Sequence, residues 1–192
     1  MTIKSIRTGW TGISALAGNS VIGDFESIST VAVGAGGVAD VTFTSIPNTY
    51  QHLQIRGIVR SEAAATGING VFAQFNTDTA SNYSRHNLIG DGASVTATAT
   101  ASTGFMVLGQ YPKSGDTANS FGAFIADILD YSNTNRFKTL RTLIGTDLNG
   151  SGQFRLTSGN WRNTNAISSI KIYPEDAADF AQYSHFALYG IR

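Results

Sequence analysis

Short stretches in which apolar and polar side chains alternate follow one another along this chain, and Gly, Asn, Asp or Ser closes most of them. A period of two marks a strand with one covered face. HLQIRGIVR (52–60) shows it well: Leu53, Ile55, Gly57 and Val59 share one face, Gln54, Arg56 and Arg60 the other, and Ile58 is the exception. FESISTVAV (25–33) and VADVTFTSI (38–46) flank the glycine cluster GAGG (34–37), which reads as a hairpin. The series continues through VFAQF (71–75), YSRHNLI (83–89), FGAFIADILDY (121–131), FKTLRTLIG (137–145), QFRLTSG (153–159), ISSIKIY (167–173) and SHFALYGI (184–191). SVTATATASTGFMVLG (94–109) alternates hydroxyl and small apolar residues before turning apolar.

The pattern predicts roughly ten or eleven strands and no long amphipathic helix. The best helical candidate is PEDAADFAQ (174–182), where acidic residues after Pro174 suit a short first turn and would leave Asp176 and Asp179 facing solvent. SEAAATGING (61–70) reads as a loop. FGAFIADILDY carries apolar residues at both parities, which predicts a central strand covered on both faces. These elements give an all-β chain, an antiparallel jelly-roll-like β-sandwich over residues 25–192. Residues 1–24 are richer in Gly and Ser, with Ile3, Ile6, Trp10, Ile13 and Leu16 spaced along them, and are expected to form an extended arm that anchors on a neighbour.

Composition narrows the partners. A length of 192 residues suits one domain with a full core, and the absence of Cys excludes disulfides and thiolate metal sites. Thirteen basic residues balance thirteen acidic ones, and 14% of the chain is charged, where about a quarter is usual. A neutral chain without basic runs is a poor nucleic-acid ligand. No apolar run approaches the roughly 20 residues that span a bilayer, and Ser14 breaks the stretch Ile13 to Ala17, so neither membrane insertion nor a secretory signal is expected.

Candidate chemistry is thin. DLNGSGQFRLTS (147–158) matches a calcium loop at Asp147, Asn149, Ser151 and Gly152, but the twelfth position is Ser158 and cannot supply two carboxylate oxygens. Asn149-Gly150 between two β-type runs is most simply a hairpin turn. His52, His86 and His185 are dispersed, no nucleophile elbow or phosphate loop occurs, and no metal, cofactor or catalytic residue is assigned. Asp127 and Asp130 are three apart on one strand, hence on opposite faces, and cannot act on one sugar as a glycosidase pair. Asp127 shares a face with Ala123, Ile125 and Leu129 and reads as a buried carboxylate held by structural partners. Trp161, Tyr83 and Tyr131, with Tyr111, lie near strand ends, where exposed rings would contact a surface glycan; the competing expectation is that Trp161 and Tyr131 plug the sandwich.

FESISTVAVGAGGVADVTFTSIPNTYQHLQIRGIVR (25–60), FNTDTASNYSRHNLIGDG (75–92), FGAFIADILDYSNTNRFKTLRTLIG (121–145), SGNWRNTNAISSIKI (158–172) and FALYGIR (186–192) together resemble, in that order, a family of tailed-bacteriophage virion proteins frequent in aquatic and cyanobacterial phages. The resemblance implies a non-enzymatic structural protein located on the virion, working with other phage virion proteins and expected as a homotrimer. It carries over no catalytic residues, and residues 1–24 fall outside the shared pattern. The expected role is a peripheral component of the tail apparatus (fibre, baseplate or tip) with contact to a host-surface glycan. The alternative is a capsid cement or decoration protein stabilising the head.

Overall fold

The computed structural model describes residues 24–192, so the expected anchoring positions Ile3, Ile6, Trp10, Ile13 and Leu16 lie outside the described residues. Twelve strands follow in order: β1 (Phe25–Ala32), β2 (Val41–Phe43), β3 (His52–Val59), β4 (Ile68–Phe75), β5 (Tyr83–Gly90) and β6 (Val95–Thr103), then β7 (Met106–Pro112), β8 (Gly122–Leu129), β9 (Lys138–Asp147), β10 (Gly152–Trp161), β11 (Ile170–Pro174) and β12 (His185–Ile191). They form an eight-stranded sheet, β1-β12-β3-β8-β9-β10-β5-β6, and a four-stranded sheet, β2-β11-β4-β7. Every pairing is antiparallel. The protein is an all-β, two-sheet antiparallel sandwich, as the alternation predicts, with sheets of unequal size.

The core lies between the sheets. Leu53, Ile55 and Val59 of β3 face Phe75, Val71 and Ala73 of β4 and Leu108 of β7 across it, all with no exposed surface. Close approach there depends on glycine. Phe124 of β8 fills the space above Gly57 and beside Gly109, and a Cβ on either glycine would sit 2.2 Å or 2.4 Å from its ring. Strand β7 is buried at every position because it packs over β8 and β9 while pairing with β4.

Four sequence expectations change. The GAGG segment does not close a hairpin: β1 pairs with β12 in the large sheet, whereas β2 pairs with β11 in the small one. Residues 34–40 cross between the sheets, tied by the Val38–Phe180 bridge. The helical turn expected at 174–182 is absent. Ala177 adopts a positive φ of 55°, which no helix accepts, and fully buried Phe180 draws the segment into bridges with Val38 and Ser61. Asp176 accordingly does not simply face solvent; it accepts hydrogen bonds from the Tyr111 hydroxyl (3.0 Å) and Asn69 Nδ2 (3.2 Å).

Arg60, expected to point outward with Arg56, is buried. Its Nη1 donates to the Thr117 and Ser120 carbonyls and its Nη2 to those of Ser114 and Asp116, so a single guanidinium organises the loop before β8. Finally, β8 is central, between β3 and β9, but is covered on one face only: Phe124, Ala126 and Ile128 are buried while Ala123 and Ile125 are exposed.

The Asn149-Gly150 turn forms as expected. Leu148 N–H donates to the Ser151 carbonyl at 2.8 Å. Asn149 and Gly150 take φ of 61° and 103°, the double positive φ of the two-residue hairpin turn that matches strand twist.

Candidate assembly surface

The large sheet presents its outer face to solvent, and register places apolar side chains there in rows. Ile125 of β8 pairs with Leu143 of β9, Leu143 with Leu156 of β10, Leu156 with Leu88 of β5, and Leu88 with Ala97 of β6. The four large side chains of this row are exposed at 40%, 45%, 43% and 47% in that order. The adjacent row runs Ile58, Ala123, Gly145, Phe154, Gly90 and Val95 across six strands, and Ile58, Phe154 and Val95 are exposed. Single exposed apolar residues need no explanation, but two contiguous rows across a sheet form the kind of patch that marks an interaction site.

A polar row borders the patch: Gln54, Asp127, Arg141, Ser158 and His86 pair in sequence across β3, β8, β9, β10 and β5. Asp127, read as a buried carboxylate, stands in this outer row half-buried and accepts a 2.8 Å hydrogen bond from Gln54 Nε2. Gln54 Oε1 in turn accepts from Arg56 Nε, and the Arg56 guanidinium covers the stacked rings of Phe25 and Tyr189.

The patch runs into an open edge. Among the described residues β6 is the last strand of the large sheet; it is exposed at most positions of both faces and carries no charge or proline in VTATATAST. The other edges are blunted: β1 by an irregularity at Ser27/Ser29, β2 by its three-residue length, and β7 by burial. A long, uncharged edge strand offers unpaired backbone groups to another chain. Two signals in the sequence point to this surface: Ile58 as the exception in its strand, and the apolar residues at both parities of FGAFIADILDY.

The aromatic candidates lie elsewhere. Trp161, Tyr83 and Tyr131, together with Tyr111, have no exposed surface, so the expectation of glycan contact at these rings is corrected. Trp161 and Tyr83 stack at a centroid distance of 6.3 Å, and Phe75 meets both rings. Buried Tyr and Trp need partners for their polar atoms. Tyr131 donates to the Pro47 carbonyl, Tyr83 to the Asp78 carbonyl, and Trp161 Nε1 to Asp78 Oδ2 at 2.8 Å.

These contacts explain two of the quoted stretches, FNTDTASNY and SGNWRN, as one loop-locking network. Asp78 also accepts from Asn82 Nδ2 and from the Ala80 N–H. Burial pushes its pKa up, but those hydrogen bonds and that of Trp161 outweigh burial and hold it below the ordinary carboxyl value. Asn76, at a positive φ, receives the Ser168 and Ser169 N–H groups on Oδ1 and donates to the Ala166 carbonyl. Sequence reasoning missed this role; its signal is the density of Asn and Asp in a loop between two aromatic strands.

Among the described residues, no group of three or more His, Asp or Glu side chains converges as metal ligands do. His52, His86 and His185 stand on three different strands. Comparison with family models, with curated proteins and with solved structures finds no match to this chain.

Proposed function

We propose that this protein is a non-enzymatic structural subunit of a tailed-bacteriophage particle, a peripheral component of the tail apparatus that assembles with copies of itself and with other virion proteins. The observation that carries the reading is the two-row apolar patch ending at the unprotected edge of β6. A chain that leaves such a surface open on one subunit hides it in an assembly, where symmetric packing also removes the exposed edge. The ordered resemblance to phage virion proteins supports the particle and a multimer, and the homotrimer follows the three-fold assemblies common among phage β-modules. The low charge fits lateral packing, since few ions must be stripped of water at the contact. The reading no longer includes a sugar platform at Trp161, Tyr83 and Tyr131, which the core occupies.

Sedimentation velocity tests the assembly step. The wild-type chain is expected to sediment as an oligomer, and Leu143→Glu with Leu156→Glu, at the centre of the exposed row, to sediment as a folded monomer. Because both leucines are already half in water, each change is expected to alter unfolding free energy by no more than about 1 kcal/mol. An oligomer unaffected by both substitutions would remove the patch from the assembly.

A further inference from the structure

A second feature faces the opposite side of the same sheet extension and does not depend on the assembly reading. Alternation places Arg155 of β10 and Arg85 of β5 on the inner face, with Asn87 and Thr157 between them. Asn87 and Thr157 are buried, at 7% and 3% exposure, and hold one guanidinium in place. Arg155 Nη2 and Nε donate to Asn87 Oδ1 at 2.7 Å and 3.2 Å, and Nε also reaches Thr157 Oγ1 at 3.2 Å. Arg85 lies over the Phe105 ring, 5.4 Å from its centroid; among the described residues its side chain makes one hydrogen bond, a long 3.5 Å contact from Nη1 to Thr103 Oγ1. Its Nε is buried with no acceptor among the described residues.

Among the described residues no carboxylate forms an ion pair with either arginine. Glu175 is the acid whose charge acts on both, and its Oε2 already accepts the Gly70 N–H at 2.6 Å. Burial depresses the pKa of each guanidinium, and the charge of Arg85 depresses that of Arg155 further. Two like charges on one face that feel each other and lose solvent, with neutral acceptors and unused N–H groups, form an arrangement that an anion would complete.

The guanidinium fork matches the oxygens of a sulfate, phosphate or carboxylate. Access exists on the β6 side. Thr96, Thr98 and Thr100 line the same inner face opposite Ile89, Asn87 and Arg85, and Thr96 and Thr98 are exposed. Thr98 Oγ1 accepts from Asn87 Nδ2 at 2.9 Å, which leaves its own hydroxyl proton to donate.

We propose that Arg85 and Arg155 form a binding site for an oxyanion, entered past Thr96 and Thr98, in which the unused N–H groups of both guanidiniums grip its oxygens. The anion is either a free ion or the sulfate or carboxylate of an acidic polysaccharide.

Calorimetric titration and thermal melting of the full chain test this with sodium sulfate, with dextran sulfate, and with sodium chloride at matched ionic strength. Saturable binding and a rise in Tm beyond the chloride control are expected with one probe or both. Sulfate alone sufficing identifies a free ion, whereas a response to dextran sulfate only identifies a chain-borne group. In Arg85→Gln the affinity is expected to fall roughly tenfold or more, the size of one lost charge-assisted hydrogen bond. Arg85→Gln without anion is expected to melt no lower than wild type, because it removes a buried, poorly partnered charge. A merely structural arginine would instead lower Tm on removal and leave anion affinity unchanged. Either that pattern or a response to sulfate and dextran sulfate no greater than to chloride would overturn the proposal.

Discussion

Asp78 shows how much one loop carboxylate holds in this protein, because the fully buried Trp161 has its indole N–H on Asp78 Oδ2. Asp78→Ala leaves that donor buried without an acceptor, and unfolding free energy is expected to drop by about 1–3 kcal/mol in urea titrations at neutral pH. The pH dependence has a definite sign. The folded carboxyl lies below its ordinary value, so its contribution is complete above the unfolded pKa of about 3.9 and is lost as pH falls through the folded value. Wild type should therefore lose more stability between pH 5 and pH 3 than Asp78→Ala does, and equal losses would show that the depressed carboxyl contributes nothing. Gly57 is the complementary case, a residue whose missing Cβ matters. A Cβ there meets Phe124 Cε1 at 2.2 Å, and Gly57→Ala is expected to lower stability by about 1–3 kcal/mol, as overpacked cores do. The sequence places Gly57 on the core face by alternation alone, but not the ring above it, because Phe124 arrives from a strand far along the chain.

Strands were legible wherever one face is buried by the opposite sheet, as in HLQIRGIVR, where Leu53, Ile55 and Val59 are the covered positions. The Asn149-Gly150 hairpin was legible because its positive φ pair selects those two residues locally. The GAGG segment was not, since glycines serve a turn and a crossover equally, and only the pairing of β1 with β12 decides. The helix expected at 174–182 failed for a related reason: the acidic first turn competes with burial of Phe180 between Val38 and Ser61, and burial wins. At this scale the exposed row makes its own prediction. Leu88→Lys on β5, beside the β6 edge, should abolish oligomer formation measured by light scattering while near-ultraviolet circular dichroism of the aromatic core stays unchanged. Loss of that aromatic signal would mean that Leu88 supports the fold rather than a contact between chains.

The whole molecule is an unequal sandwich in which the larger sheet extends past the smaller one, leaving β6 with little to cover it. The outer face of the large sheet carries the apolar rows and the inner face of its β10-β5-β6 end carries the arginines, so assembly and anion binding are assigned to opposite sides of one sheet. Neither was readable from composition, which shows a neutral chain of low charge and says nothing of where its few arginines and leucines gather. The measurement that tests the central claim most directly is antibody–gold labelling of intact phage particles, viewed by electron microscopy. Gold at the tail is the predicted result. Gold spread over the head would contradict the tail assignment and make the protein a capsid cement, and particles that carry no gold at all would contradict the virion reading itself.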